Sequence, residues 1–259
     1  VYLDAILARH RAAAAADRRD PGALRAAATA APAPRDFAAR LRADAADGLA
    51  VIAEIKRRSP SRGDLAPGLD PAEVARDYAR GGASCLSVLT DAEAFGGSPE
   101  DLAAARAAAG LPVLRKDFTV DVRDVYDARL MGADAVLLIA AALDAPTLRR
   151  CLAAAREVGL DALVEVHDAA EVSVALDEGA TMVGVNQRDL HTFEVDRGRA
   201  AALAERIPAG VLRVAESGVR TEADARALHA CGYDAVLVGE GVVTSADRAA
   251  AVAALRVAP

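Results

Sequence analysis

The run VIAEIK, residues 51–56, ends an apolar stretch with Glu54 and Lys56, an acid and a base two residues apart. Other apolar runs end the same way. PVLRKD closes with Arg115, Lys116 and Asp117, DALVEV carries Glu165, and TMVGVN ends at Asn186 with Arg188 just beyond. VLRVAES reaches Glu216 and Ser217, and DAVLVGE reaches Gly239 and Glu240. Alternate residues of a strand share a face, so Glu54 and Lys56 point together if Ile55 packs outward. One such pair reads equally well as an internal ion pair that neutralises itself. A set of strand ends bearing charged or amide groups points instead to a site, because buried unpaired charges cost several kcal/mol each. The chemistry such groups can do is proton transfer by lysine and glutamate. Lysines beside other cations and an apolar wall are expected to have lowered pKa values, a route to acid–base work near neutral pH.

Two glycine-bearing turns add a second function. AESGVRT and LVGEGVV place Gly218 and Gly239 directly after strands, where freed backbone amides and a helix start can cradle a phosphate. Single glycines in such places are as often plain turns; the two loops together favour phosphate. Ser59, Pro60 and Ser61, flanked by Arg57, Arg58 and Arg62, read as a flexible loop over the site that adds cationic contacts.

The elements that must position these groups alternate regularly. Strands are expected at 49–56, 84–90, 112–117, 134–140, 161–166, 181–186, 211–217 and 234–240. Between them lie segments such as DPAEVARDYARGGA and TEADARALHACGY, opened by an N-capping Asp or Thr and stopped at glycine. The endings GGAS, MGAD, EGAT and CGYD repeat one unit of helix, glycine stop and next strand. Strands apolar on both faces imply a parallel sheet covered by helices. An open doubly wound sheet and a closed barrel both fit; eight units with a period of about 20–25 residues favour the α/β (β/α)8 barrel. Residues 1–48 fall outside the repeat and are expected to form an N-terminal helical extension packed on a barrel at 49–259. They read as one helix, a break at Pro21-Gly22, a Pro-rich joint at 31–34 and a second helix from Arg35 to about Asp47.

Composition narrows the class. The formal charge of −7 argues against a general nucleic-acid binder. Cys85, Cys151 and Cys231 show no ligand spacing and suit a reducing cytoplasm, and His10, His167, His191 and His229 show none either. No metal or other cofactor is expected. No run approaches the about 20 apolar residues of a membrane span. The first residues are too charged for a signal peptide and read as an amphipathic helix; Asp4, Asp17 and Asp20 speak against a transit peptide.

Taken in order, AEIKRRSPSRG, SVLTDAEAFGGS, PVLRKDF, DAVLLIAAAL, LVEVHD, GVNQRDLHTFEVD, VAESGV and AVLVGEGVV resemble the indole-3-glycerol-phosphate synthase family. PRDF at 34–37 fits the family's N-terminal segment, and the likeness runs from about Arg35 onward. The resemblance implies a TIM barrel of tryptophan biosynthesis. It would close 1-(2-carboxyphenylamino)-1-deoxyribulose 5-phosphate to an indole with loss of carbon dioxide and water, without cofactor. It implies that Lys116 is the general acid at the ketone and that Lys56 holds the substrate carboxylate and serves the dehydration. Glu165 would be the base of aromatisation and Glu54 the support of the lysines. Asn186 and Glu216 would bind sugar hydroxyls, Arg188 would face anionic groups, and Phe95 would wall the aromatic ring. Ser59, Ser217, Gly218, Gly239 and Glu240 would serve the phosphate side, Glu240 through its amide. Gln187 and Glu240 depart from the family's usual Asn and Ser. A phosphoribosylanthranilate isomerase would need a cysteine base at the first strand end, and a tryptophan synthase α subunit lacks the lysine pair. A Schiff base at Lys116 and a silent binding barrel are the other readings. The resemblance leaves room for association with other tryptophan-pathway enzymes.

Overall fold

Eight apolar runs become eight parallel strands because each has aliphatic side chains for two faces and a capped helix to cover one of them. The computed structural model describes residues 2–258 apart from Ser61 and His191, so the readings of those two residues lie outside it, and it leaves the side chain of Tyr2 undescribed. The strands are β1 (Ala50–Ile55), β2 (Cys85–Leu89), β3 (Val113–Lys116), β4 (Ala135–Ile139), β5 (Asp161–Val166), β6 (Met182–Asn186), β7 (Leu212–Glu216) and β8 (Ala235–Val238). Each pairs with its sequence neighbour, and β1 also pairs with β8, so the sheet closes. Ile52 stands opposite Cys85 on one side and Leu237 on the other. The open doubly wound alternative is therefore ruled out.

Alternation then sorts the side chains. Ile52, Leu114, Leu137, Leu163, Met182, Val214 and Leu237 fill the interior as one apolar cluster. Val51, Ala53, Ile55, Val88 and Val136 face outward into the cluster shared with the helices. Ile55 thus packs outward, and Glu54 falls on the inner side one step above Ile52. The helices start where expected. Asp70, Asp121, Asp144, Asp168 and Thr221 each accept backbone N–H groups of the first turn through their side chains. The recurring glycine stops are left-handed, as at Gly132 (φ 87°) and Gly179 (φ 86°), a conformation that other residues adopt at a cost.

The N-terminal region differs from the expectation of two helices. It forms three: α1 (Tyr2–Ala16), α2 (Pro21–Ala30) and α3 (Phe37–Ala45). Pro21 does not break a helix but begins one, at the first helical position behind the N-cap Asp20. α1 lies over the carboxyl ends of the strands: Arg11 donates to the Ala142 carbonyl, Arg9 pairs with Asp91, and His10 meets Asp91 at 2.9 Å. α3 crosses the opposite end, where Phe37 and Leu41 are fully buried beside Ala50, Cys85 and Leu212. Ala38 N–H donates to Asp161 at 2.8 Å there. α2 links the two ends along the helix Val122–Leu130. No helix among the described residues is long and apolar enough to cross a membrane.

Candidate active site

At the carboxyl ends of the strands the interior layer changes from aliphatic to charged. Glu54 from β1, Lys116 from β3, Glu165 from β5, Asn186 from β6 and Glu216 from β7 form this upper layer, with Lys56 just past β1. Lys56 Nζ donates to Glu54 Oε1 at 2.7 Å. Lys116 Nζ stands 3.4 Å from Glu165 Oε2 and 3.7 Å from Glu216 Oε2. Asn186 Nδ2 donates to Glu165 Oε1 at 3.1 Å. Two glycines give this cluster its room. A Cβ on Gly184 would stand 2.1 Å from Glu216 Oε1, and one on Gly239 would stand 2.4 Å from Glu54 Oε1.

Burial sets the charge states. Burial opposes the charge of Lys116, but Glu165, Glu216 and Glu54 outweigh it and hold the ammonium above the usual lysine range. The expectation of lowered lysines is thus corrected for Lys116, whose neighbours are carboxylates, not cations. Burial also opposes ionisation of Glu54 and Glu165, yet both are held below their usual range, Glu54 by Lys56 and Lys116, Glu165 by Lys116 and His167. Glu216 goes the other way. Burial and the charge of Glu165 outweigh Lys116 and keep it protonated well above the usual carboxylate range.

Above this layer lies a cavity of about 230 Å³, room for a metabolite rather than a polymer. It is lined by Glu54, Lys56, Ser59, Phe95, Lys116, Asn186, Arg188, Glu216, Ser217, Gly218, Gly239 and Glu240. Of the residues to which the resemblance assigns a role, Glu165 alone does not line it; Arg115 and Asp117 at the end of β3 do not either and pair with each other at 3.0 Å. The Glu165 side chain is 1 % exposed and sits behind Lys116 and Asn186. Ser59 presents a buried hydroxyl without a partner among the described residues. Phe95 ends a short helix capped by Asp91 and is backed by Phe118, ring centroids 6.2 Å apart. Arg188 is tied to the Phe193 carbonyl at 3.0 Å.

The loop after β1 departs from the reading of free cationic contacts. Arg58–Ser59 and Gly63–Asp64 pair as a small antiparallel hairpin. Arg57 is engaged by Asp101, Arg58 by the carbonyls of Ala92 and Glu93, and Arg62 by Glu240 at 2.6 Å. Glu240 therefore directs its carboxylate to Arg62, with Arg220 at 3.8 Å. After β7, two strands round the barrel from β1, Ser217 has φ 65°, left-handed and strained for a residue with a side chain, and Gly218 follows at φ 76°. Gln187 Nε2 holds the Ser217 carbonyl at 2.8 Å. Leu190, Phe193, Val195, Arg197 and Arg220 also line the cavity. The sequence reading passed over them because they lie on irregular loops, where neither period nor strand end marks an inward side chain.

A family model described as indole-3-glycerol phosphate synthase matches residues 3–255. The chain belongs to the indole-3-glycerol phosphate synthase family. Its members are carboxy-lyases of tryptophan biosynthesis, and this chain is one of those enzymes. It is 56 % identical over 220 residues to indole-3-glycerol phosphate synthase 2 of Streptomyces coelicolor, covering 85 % of this chain and 84 % of that one. It is 51 % identical over 255 residues to the indole-3-glycerol phosphate synthase of Mycobacteroides abscessus, covering 98 % and 93 %. Among solved structures, a 3-hexulose-6-phosphate synthase superposes with a TM-score of 0.62 at 20 % identity, over 80 % of this chain and 98 % of that one. A thiamine phosphate pyrophosphorylase from Pyrococcus furiosus gives 0.60 at 19 %, over 80 % and 94 %. These two likenesses concern the fold.

Proposed function

We propose that the charged upper layer of the barrel performs the family's ring closure on 1-(2-carboxyphenylamino)-1-deoxyribulose 5-phosphate, with Lys116 as the general acid. The observation that carries this is Lys116 at the cavity, held as an ammonium by the ionised carboxylates of Glu165 on β5 and Glu54 on β1. In this reading the substrate phosphate lies against Ser59 and the turns at Ser217, Gly218, Gly239 and Glu240, the usual phosphate position of barrels. Its carboxylate meets Lys56, and its aryl ring rests on Phe95. Glu54 fixes Lys56 by their 2.7 Å contact, while Asn186, Glu216 and Arg188 orient the sugar and anionic groups.

The order of steps follows from what blocks what. Lys116 protonates the ketone oxygen as the aryl carbon attacks, and decarboxylation restores the ring. Lys56 then protonates the hydroxyl that leaves as water. Glu165 is shielded by Lys116 at rest, so it reaches the carbon-bound proton only after Lys116 has given its proton away and been released. Acid before base is thereby built into the packing.

The extension and the barrel form one folding unit in this reading, and the setting is a reducing cytoplasm, which suits three free cysteines. Association with other tryptophan-pathway enzymes belongs to the same proposal. The test is turnover of the carboxyphenylaminodeoxyribulose phosphate to a product with indole absorbance. Lys116→Ala should lose about 10²–10⁴-fold in kcat, the scale of a general acid, while substrate still binds. Absence of turnover by the unaltered protein between about pH 6 and 9, where lysine–glutamate pairs operate, would refute the activity. A Lys116→Ala variant with near-normal kcat would remove the acid from that residue.

A further inference from the structure

His167 follows β5 two residues after Glu165, the i, i+2 spacing that returns a side chain to the same side. Its Nε2 lies 3.5 Å from Glu165 Oε1, buried and with no hydrogen-bond partner among the described residues. Its Nδ1 is 3.2 Å from Glu171 Oε2, and the same oxygen accepts the His167 backbone N–H at 2.7 Å. Glu171 is the acidic first-turn residue of the helix Ala169–Asp177 that follows β5. The imidazole therefore sits between two carboxylates, on the side of Glu165 away from Lys116.

We propose that His167 is a positioning residue: as a cation clamped between Glu171 and Glu165, it fixes the Glu165 carboxylate and keeps it ionised when Lys116 is discharged. The inference rests on the acid and base assigned above. At rest Glu165 is kept ionised chiefly by Lys116, against burial and against the charge of Glu54 on β1. Glu216 on β7 is held neutral. Once Lys116 has passed its proton to the substrate, that support ends, and a buried carboxylate with only Asn186 beside it would pick up a proton and cease to be a base. A cation on the far side, out of reach of the substrate, removes the conflict. The charges facing His167 support the assignment. Burial opposes its charge, but the Glu171 hydrogen bond and the charges of Glu165 and Glu171 prevail over Arg199 on the neighbouring helix, and the imidazole is raised above its usual range.

The test has two arms. In kinetics, His167→Gln keeps a hydrogen-bonding side chain but no charge. Its kcat should fall about tenfold near neutral pH, and the acidic limb of its pH profile should move up by about 1–3 units, the usual effect of a charge at this distance. KM should change less than about twofold, since the ring does not line the cavity. Glu171→Gln should move the limb in the same direction by less. In the second arm, which needs no substrate, the His167 ring is titrated by NMR. It should titrate above the free value of about 6.5 and drop back in Glu165→Gln. A His167→Gln profile superimposable on that of the unaltered enzyme, or a His167 titration indifferent to Glu165→Gln, overturns the proposal. A protein that fails to turn over the substrate but shows the coupled titration would refute the assigned reaction and leave the clamp standing.

Discussion

Gly239→Ala separates two uses of the same glycine. Its position after β8 suggests a backbone that lies against phosphate, but the structure gives it a second duty toward the charged layer. Gly239 has φ −125°, so alanine meets no left-handed strain there. The added Cβ, however, would lie 2.4 Å from Glu54 Oε1 and 2.9 Å from Lys56 Nζ. Reaching an ordinary contact of about 3.4–4 Å requires the Glu54 carboxylate to retreat by about 1 Å, drawing Lys56 with it. Misplacement by about 1 Å of a group that positions a reactant costs about 10²-fold in rate, equivalent to about 2.7 kcal/mol of barrier. The fold should survive, since overpacking of this size costs about 1–3 kcal/mol. Gly241→Ala is the control on the same turn, because its Cβ would find nothing nearer than the Val219 carbonyl at 3.9 Å. Steady-state kinetics should show kcat down about 100-fold for Gly239→Ala and little changed for Gly241→Ala. If Gly239→Ala keeps its kcat and only raises KM, the glycine serves the phosphate alone and the clearance argument is wrong.

Two other perturbations test the electrostatics and the packing. Glu216 binds its proton more tightly in the folded state than the unfolded value of about 4.3, so the native protein loses stability as pH rises from there toward the folded pKa. Glu216→Gln does not titrate, and its melting temperature relative to the unaltered protein should rise with pH; a difference constant from about pH 5 to 9 would contradict the protonated state. Phe37 is fully buried where α3 crosses the barrel, and Phe37→Ala should cost about 3–5 kcal/mol in denaturant unfolding in one cooperative transition. Separate transitions for extension and barrel would show two units instead.

Strands were the most legible part of this sequence, because aliphatic runs and glycine stops recur with one period. Each observed strand falls within two residues at either end of the run that announced it, as DALVEV does for Asp161–Val166. Glu54 and Lys56 were legible as a pair because alternation fixes the side a strand residue faces. Other features depended on neighbours that alternation does not reveal. Pro21 reads as a break in the sequence because the same residue ends a helix from within and begins one from its first position. The arginines after β1 looked available, yet their partners, Asp101 and Glu240, lie far off in the chain. The direction of the Lys116 shift likewise depends on carboxylates from β5 and β7, which only barrel closure brings near. His167 carried a signal in retrospect: it continues the i, i+2 row of Glu165 beyond the strand.

The protonation pattern of the upper layer follows from the conflicting demands on Lys116. As an acid it must release its proton, and every ionised carboxylate nearby makes that harder. Three glutamates surround it, so three full charges would bind the proton too firmly for transfer to a ketone. Keeping Glu216 neutral removes one of them. With Glu216 protonated, Lys56 and Lys116 balance Glu54 and Glu165, and the layer carries no net charge as the doubly anionic phosphate and the carboxylate approach. His167 acts on the same balance from behind, drawing Glu165 toward itself and weakening its claim on Lys116. The two effects work in the same direction for the acid and for the base, easing proton release from Lys116 and keeping Glu165 ionised. A protonated Glu216 leaves Glu165 without a rival charge, and a cationic His167 limits its basicity. Replacing Glu216 by glutamine should therefore preserve the acid step, whereas replacing His167 by glutamine should impair the step that follows it.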